Sequence, residues 1–415
     1  MANCCDTIPG GGYIVGGASE AIDGSDEVYL MRFDANGDTL WTRVFGDPTL
    51  NRFWIGYQVK RTLDGGFVII GITDQNGPFN GFVLKTDGNG NEEWRRIYEW
   101  SPTHEGGLGS IDQADDGTYF TGGTRNVNGA NSDHWVQHLD TDGSVMWQIS
   151  WGGDHQEGAT NIITLENGEL AMFGGTGYGP SFSLLRPTVA RLDPTDGSII
   201  WENEYGPAAT STLFFAGKET PNGDLIACGV TYAEQGQKGL LLRTNSEGDS
   251  LWMRSYYYQD EVINNGQGRF YDVLPSPDGG FIAAGAVYNP VQAPNPPGYS
   301  QDTWVVKVDA EGCIVPGCNG VGITEQATNL LSALTIFPNP VAQGGSVTMQ
   351  LDLPSALQSH DITLSVIGTD GRLVHSQRMQ GRTEQLTTNN CPPGLYHVHI
   401  SSGNKWLTGG KLIVE

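Results

Sequence analysis

Short apolar runs separated by turns of Asp or Asn with Gly recur over the first three quarters of the chain, and the copy from Gly56 to Tyr98 shows the unit most fully. Gly56 to Thr62 reads as one strand, Asp64-Gly65-Gly66 turns it, and Phe67 to Gly71 is a second. Gly81 to Thr86 makes a third, Asp87 to Asn91 turns it, and Glu92 to Tyr98 is the fourth. Aspartate or asparagine with glycine supplies the positive φ that tight hairpin turns require. The unbroken apolar runs Phe67 to Ile70 and Phe281 to Ala284 predict second strands buried on both faces, because a half-exposed strand would alternate.

Tryptophans 41, 94, 147, 201 and 252 follow these turns at intervals of 53, 53, 54 and 51 residues. A fixed period of this length marks a propeller or a solenoid, in which stacked units bury both faces of each sheet. The expected fold class is all-β: a six-bladed β-propeller over residues 1–319, whose tryptophans pack blade against blade. A linker, 320–334, and a small immunoglobulin-like β-sandwich, 335–415, follow. The sixth copy loses its tryptophan to the stretch between Cys313 and Cys318, and the first copy lacks an evident leading strand. An unpaired inner edge is a liability. The expectation is therefore a further strand upstream, seven blades if a whole unit precedes, and an export signal ahead of it; alternatively residues 1 to 9 fill the gap.

After Cys318 the period stops, and from Thr335 alternating runs take over: Ser346 to Asp352, Asp361 to Gly368, Leu373 to His375, Pro392 to Ile400 and Lys411 to Glu415. With Gly, Pro and Asn between them they describe about seven strands.

The formal charge is −25, and from Glu325 onward there are only five Lys/Arg against six Asp/Glu, so the acidity belongs to the repeats. Such a surface repels phosphate backbones and argues against nucleic-acid binding. No run approaches the ~20 apolar residues of a membrane helix. Of six cysteines, Cys313 and Cys318 bracket a turn-forming stretch and are a candidate disulfide, Cys228 reads as core, and adjacent Cys4 and Cys5 make no metal-ligand pattern.

Two resemblances rest on particular residues. The turn copies, best at Asp193-Pro-Thr-Asp-Gly-Ser-Ile-Ile-Trp201, resemble units of quinoprotein-type propellers and the Asp-Gly-Gly-Phe repeats of Bacteroidota surface propellers, which implies architecture alone. Pro338-Asn339-Pro340, the Asp370-Gly371 hairpin, Gly394-Leu-Tyr396 and Lys411-Leu-Ile413 resemble the type A C-terminal sorting domain (Por) of the type IX secretion system. That resemblance implies export across a Bacteroidota outer membrane, with the secretion machinery as partner and release or attachment to surface glycolipid afterwards.

No nucleophile elbow, zinc helix or phosphate loop is present, so no catalytic or metal residue is assigned. Asp34-Ala-Asn-Gly-Asp38 and its copies mimic part of a calcium loop, but the glycine stands fourth where the EF-hand needs it sixth, so they read as turns. His397/His399 and His134/His138 each share a strand face without a third ligand. The less repetitive segments Glu99 to Glu105, Gly177 to Arg186, Tyr256 to Glu261 and Tyr288 to Ser300 combine aromatic and polar residues, which suits stacking on a sugar. The function expected is a secreted or surface module, non-enzymatic, that binds a glycan or a protein in adhesion. The alternatives are a polysaccharide-active enzyme with a central-channel site, and a passive spacer.

Overall fold

The computed structural model describes residues 2–20, 26–46, 52–99, 101, 104–127, 131–178, 184–207, 211–233, 236–257, 267–288, 301–314, 333–353, 362–369, 371–379, 381–402 and 405–415. The chain forms two compact units: residues 1–258, 264–276 and 281–306 in one, and 259–263, 277–280 and 307–415 in the other.

Antiparallel sheets of consecutive strands follow one another from the start. The first holds β1 (Ala2–Thr7), β2 (Tyr13–Glu20), β3 (Asp26–Phe33) and β4 (Thr39–Phe45); the second β5 (Trp54–Arg61), β6 (Phe67–Thr73), β7 (Asn80–Thr86) and β8 (Glu92–Tyr98). The third holds β9 (Gly106–Gln113), β10 (Tyr119–Asn126), β11 (Ser132–Leu139) and β12 (Val145–Trp151); the fourth β13 (Gly158–Thr164), β14 (Leu170–Gly177), β15 (Leu185–Leu192) and β16 (Ile199–Glu204). The fifth comprises β17 (Thr212–Glu219), β18 (Leu225–Ala233), β19 (Gly236–Thr244) and β20 (Ser250–Tyr256). The sixth has β21 (Gln267–Pro275), β22 (Phe281–Tyr288) and β23 (Gln301–Val308).

Two sequence expectations are corrected here. The first repeat does have its leading strand: β1 pairs with β2 from Thr7↔Tyr13 to Ala2↔Gly17, so the argument from a missing strand falls. Its cysteine-rich, weakly alternating sequence hid it. Burial on both faces holds for Phe67 to Ile70, all at 1% exposure or less, but fails at the other run. Ile282 is 41% exposed and Ala284 is exposed, because among the described residues nothing covers that face of the sixth sheet.

The tryptophans pack sheet on sheet, as the period implies. Gly90, Gly143, Gly197 and Gly248 close the β3–β4-type turns of the second to fifth sheets with φ of 77 to 85°. A methyl added to any of them would come within 2.7–2.9 Å of the ring of Trp41, Trp94, Trp147 or Trp201, the fourth-strand tryptophan of the sheet before. The position therefore demands glycine twice over, once for backbone and once for space.

The inner strands β1, β5, β9, β13 and β17 form no backbone ladder with one another, and polar side chains of the first four reach backbone groups of the inner strand that follows. Ser110, 1% exposed, donates to the Thr160 carbonyl at 3.0 Å and accepts from Ile162 N–H at 2.8 Å. Gln58 accepts from Ile111 N–H at 2.6 Å, Asp6 from Arg61 N–H at 2.8 Å, Asp112 from Thr164 N–H at 2.9 Å and Asn161 from Gly217 N–H at 3.2 Å. Each inner strand also carries a bulge near its start, at Asn3, Tyr57, Gly109, Ala159, Phe215 and Tyr271.

In the second unit β25 (Ser346–Leu351) pairs with β24 (Leu334–Phe337) and β28 (Thr383–Thr387). The other sheet runs β27 (Leu373–Arg378), β26 (Ile362–Gly368), β29 (Gly394–Ser402), β30 (Lys405–Val414). Val347, Met349, Leu364, Val366, Val398, Ile400 and Leu412 form the shared core, so the two sheets pack face to face.

Candidate functional site

Hairpin connectivity sorts the first unit into two ends. The Asp/Asn-Gly turns lie at one end of every sheet, and the longer connections at the other. At the turn end the aspartates serve their own loops. Asp34 Oδ1 accepts from Asn36 and Asp38 N–H, and Asp87 Oδ1 from Asn89 and Asn91 N–H, so these oxygens are occupied by backbone. No group of three His, Cys, Asp or Glu able to hold a metal occurs among the described residues. A cleft of about 360 Å³ at this end is lined by Asp6, Thr7, Ile8, Pro9, Lys60, Arg61, Leu63, Asp112 and Gln113. Burial opposes the charge on Lys60, yet Asp112 at 3.3 Å, Asp6 and Asp272 together hold its pKa above the ordinary value.

Several aromatics of the repeats are exposed. Phe53, Tyr57, Tyr232, Tyr257 and Tyr271 are 37 to 46% exposed; Phe53, Tyr232 and Tyr257 lie at or beside strand ends next to a longer connection, while Tyr57 and Tyr271 are the bulge residues within β5 and β21. Tyr271 packs against half-buried Phe215 with ring centroids 5.6 Å apart, and Lys238 Nζ lies 4.0 Å from the Tyr257 ring. Of the variable segments named from sequence, 258–261 and 289–300 lie outside the described residues, as do 100, 102–103 and 179–183.

The inner-strand carboxylates are engaged. Besides its backbone partner Asp112 holds Lys60, Asp272 accepts from Val273 N–H at 2.9 Å and faces Lys218 at 3.9 Å, and Glu219 accepts from Glu166 N–H at 2.7 Å. One carboxyl near the loop end is unusual. Burial pushes Glu157 up to about 7, against the pull of Gly153 and Gly177 N–H, which donate to its two oxygens at 3.1 and 3.0 Å. Its side chain is sealed from solvent, 3.7 Å from His134 Nε2, and burial lowers His134 to about 4. A group with both oxygens capped and no exposed surface holds the 152–157 connection against β14. Sequence reading missed it because neither residue belongs to a motif. His138, its strand-mate, stacks on Phe120 at 4.2 Å and bonds Thr118 Oγ1 at 2.9 Å, a packing role.

In the second unit the sequence motifs converge. Asn339 Nδ2 donates to the Lys411 carbonyl at 2.7 Å, and Ile413 N–H donates to Asn339 Oδ1 at 2.9 Å. Just beyond Pro340, Val341 N–H bonds the Ile413 carbonyl and Glu415 N–H bonds the Val341 carbonyl, both at 2.9 Å. Gly394 and Tyr396 pair with Val414 and Leu412, and Tyr396 pairs on its other side with Gly368 at the foot of the Gly371 hairpin. Pro338, Asn339, Gly371, Gly394, Tyr396 and Lys411 thus gather at one end of one sheet, while Asp370 lies outside the described residues. The buried Tyr396 ring anchors this end, its hydroxyl donating to the Pro392 carbonyl at 2.6 Å.

Residues 335–415 match the secretion system C-terminal sorting domain. The sorting domain indicates secretion by the type IX route. Within it, His397 and His399 share a face of β29 opposite Lys411 and Gly409, and burial with the His397 charge lowers His399. Cys391 is buried and free, whereas Cys313 is disulfide-bonded and Cys318 lies outside the described residues.

No curated protein matches the chain. Among solved structures it is similar to a protein of unknown function from Bacteroides caccae, at 13% identity and TM-score 0.44, over 74% of this chain and 92% of that one. PorZ, a surface component of the type IX secretion system of Porphyromonas gingivalis, is similar at 12% identity and TM-score 0.40, over 97% of this chain and 58% of that one. Quinohemoprotein alcohol dehydrogenase from Comamonas testosteroni is similar at 12% identity and TM-score 0.37, over 66% and 56%. No helix among the described residues is long and apolar enough to cross a membrane.

Proposed function

We propose that the repeat sheets are blades of a β-propeller carried to the cell surface as cargo of an immunoglobulin-like sorting domain, and that this cargo binds a glycan without turning it over. The observation that carries the reading is the exposure of several aromatics of the repeats, foremost Tyr57 and Tyr271 on the bulges of β5 and β21 and Tyr257 just past β20. Aromatic faces stack on the apolar faces of sugar rings, and flanking polar groups take the hydroxyls. The non-enzymatic part is supported by the state of the acids. Glycoside hydrolysis needs two carboxyl groups that can reach the substrate. The inner-strand acids are held by lysines and backbone N–H groups, and the poised Glu157 is sealed away. Partners that follow are the secretion machinery, and then surface glycolipid if the cargo stays attached.

A glycan array probed with the full chain tests this. Binding is expected to a defined set of neutral or acidic polysaccharides, weakened about tenfold or more by Tyr57→Ala or Tyr271→Ala, since one stacked ring contributes about 1–3 kcal/mol. Silence across the array, or binding untouched by both substitutions, sinks the glycan reading. Release of reducing ends from any bound polysaccharide returns the enzyme reading.

A further inference from the structure

The five junctions between consecutive repeats share one design, which leaves one socket and one face over. At each junction the leading sheet presents a row from its second and third strands: Ile14 and Leu30, Val68 and Val83, Phe120 and Val136, Ala171 and Val189, Ile226 and Leu241. All of these are 2% exposed or less. The equivalent row of the sixth sheet is Ile282, Ala284 and Val305; Val305 is 61% exposed, Ile282 41%, and neighbouring Leu274 53%.

The receiving side is open as well. Phe67, Tyr119, Leu170, Leu225 and Phe281 begin the second strands of repeats two to six and are all 2% exposed or less, while Tyr13, which begins that of the first, is 48% exposed. The turn glycine of the first repeat, Gly37, shares the positive φ of its counterparts at 88°, yet among the described residues nothing lies within 4 Å of a methyl built on it. Gly90, Gly143, Gly197 and Gly248 each meet a tryptophan there. The sixth repeat cannot supply that ring, since its sequence has Pro316 where the others have tryptophan.

We propose that this seam takes one more four-stranded repeat of the same kind, and that its source is polypeptide N-terminal to residue 1. The direction follows from the junctions themselves. The first four repeats each send their fourth-strand tryptophan forward onto the glycine of the next repeat in sequence, so the empty socket at Gly37 faces a repeat that precedes the first. The added repeat sets its tryptophan on Gly37 and Tyr13 and takes Ile282, Ala284 and Val305 against its own second strand. Five existing tryptophans stand 11 to 15 residues before the next inner strand, so the missing one belongs that far ahead of Ala2.

The test labels the seam with a maleimide. Val305→Cys is made in a Cys4→Ser, Cys5→Ser background, in the 415-residue chain and in a chain extended ahead of Ala2 by a second copy of residues 54–105. That copy places its Trp94 at the required spacing. Labelling is expected to be fast in the 415-residue chain and about tenfold slower or more in the extended one, with fast labelling restored by Trp94→Ala in the copy. Protection already present in the monomeric 415-residue chain means that the sixth sheet closes on the first, and overturns the proposal. Protection that appears with concentration points to a second copy of the chain and overturns it too, as does equal labelling of a folded extended chain. A second measurement does not depend on the extension folding: the codons preceding Met1 in the natural gene must specify an Asp/Asn-Gly turn and a tryptophan at that spacing, and their lack overturns the proposal.

Discussion

Asn339 holds the final strand by both faces of its amide, donating to the Lys411 carbonyl and accepting from Ile413 N–H, so that a side chain does what a strand backbone would do. Two motifs more than seventy residues apart are thereby one structural element. Asn339→Asp keeps the acceptor and replaces the donor with a charge facing a carbonyl. The substitution is expected to cost about 1–3 kcal/mol, close to the value for removing one partner of a hydrogen bond, and to speed amide exchange at Ile413 and Glu415 more than in β26. Uniform loss of protection across the sheet would show that Asn339 merely supports the fold.

Gly143 tests the tryptophan sockets. Gly143→Ala forces an alanine to φ 80° and brings its methyl within 2.7 Å of Trp94, whereas Gly65→Ala imposes a similar φ of 83° in open space. Backbone strain of about 1–3 kcal/mol is expected in both, and a further loss with altered tryptophan fluorescence only in the first. Equal melting temperatures for the two variants would remove the ring contact from the account.

Turns and tryptophans made the repeats legible because they are local or periodic: an Asp-Gly pair forces its own φ, and a ring recurring every 51 to 54 residues needs no partner to be noticed. The sorting motifs were legible for a related reason, since they are short and near the end of the chain. What stayed hidden depends on neighbours. The strand Ala2–Thr7 is defined by what it pairs with, not by alternation, and Ser110 or Asp112 looks like an ordinary polar residue until the next sheet's unladdered edge stands beside it. Glu157 and His134 are brought together only by the packing of β11 beside the entry to β13. Exposure of Ile282 runs against its sequence, which reads the same as the buried rows of the other repeats.

Ser110 offers a test of the stitched edges. Ser110→Ala removes the donor to Thr160 and the acceptor for Ile162 N–H in a site 1% exposed, leaving two backbone groups buried without partners. A loss of about 1–3 kcal/mol for each is expected in chemical denaturation. Ser110→Thr keeps the hydroxyl and should recover part of it; a neutral Ser110→Ala would show that water replaces the hydroxyl.

The Glu157–His134 pair gives the repeat unit a pH dependence whose sign can be worked out. Glu157 is raised to about 7 from an ordinary carboxyl value, so between roughly pH 4.5 and 7 the folded state holds a proton that the unfolded chain has released. Stability from this group therefore grows as pH falls through 7 and is missing above it. His134, lowered to about 4, acts oppositely: the unfolded chain gains a proton below about 6.5 and the folded one does not, so stability drains between 6.5 and 4. Glu157→Gln removes the first effect and leaves the second. The stability difference, parent minus variant, should rise as pH falls from 8 to 5, with a slope of at most about 1.4 kcal/mol per pH unit. Urea denaturation at pH 8, 6.5 and 5 measures it. A difference that stays flat means Glu157 titrates normally and is open to water, which would also reopen it as a group able to meet a substrate.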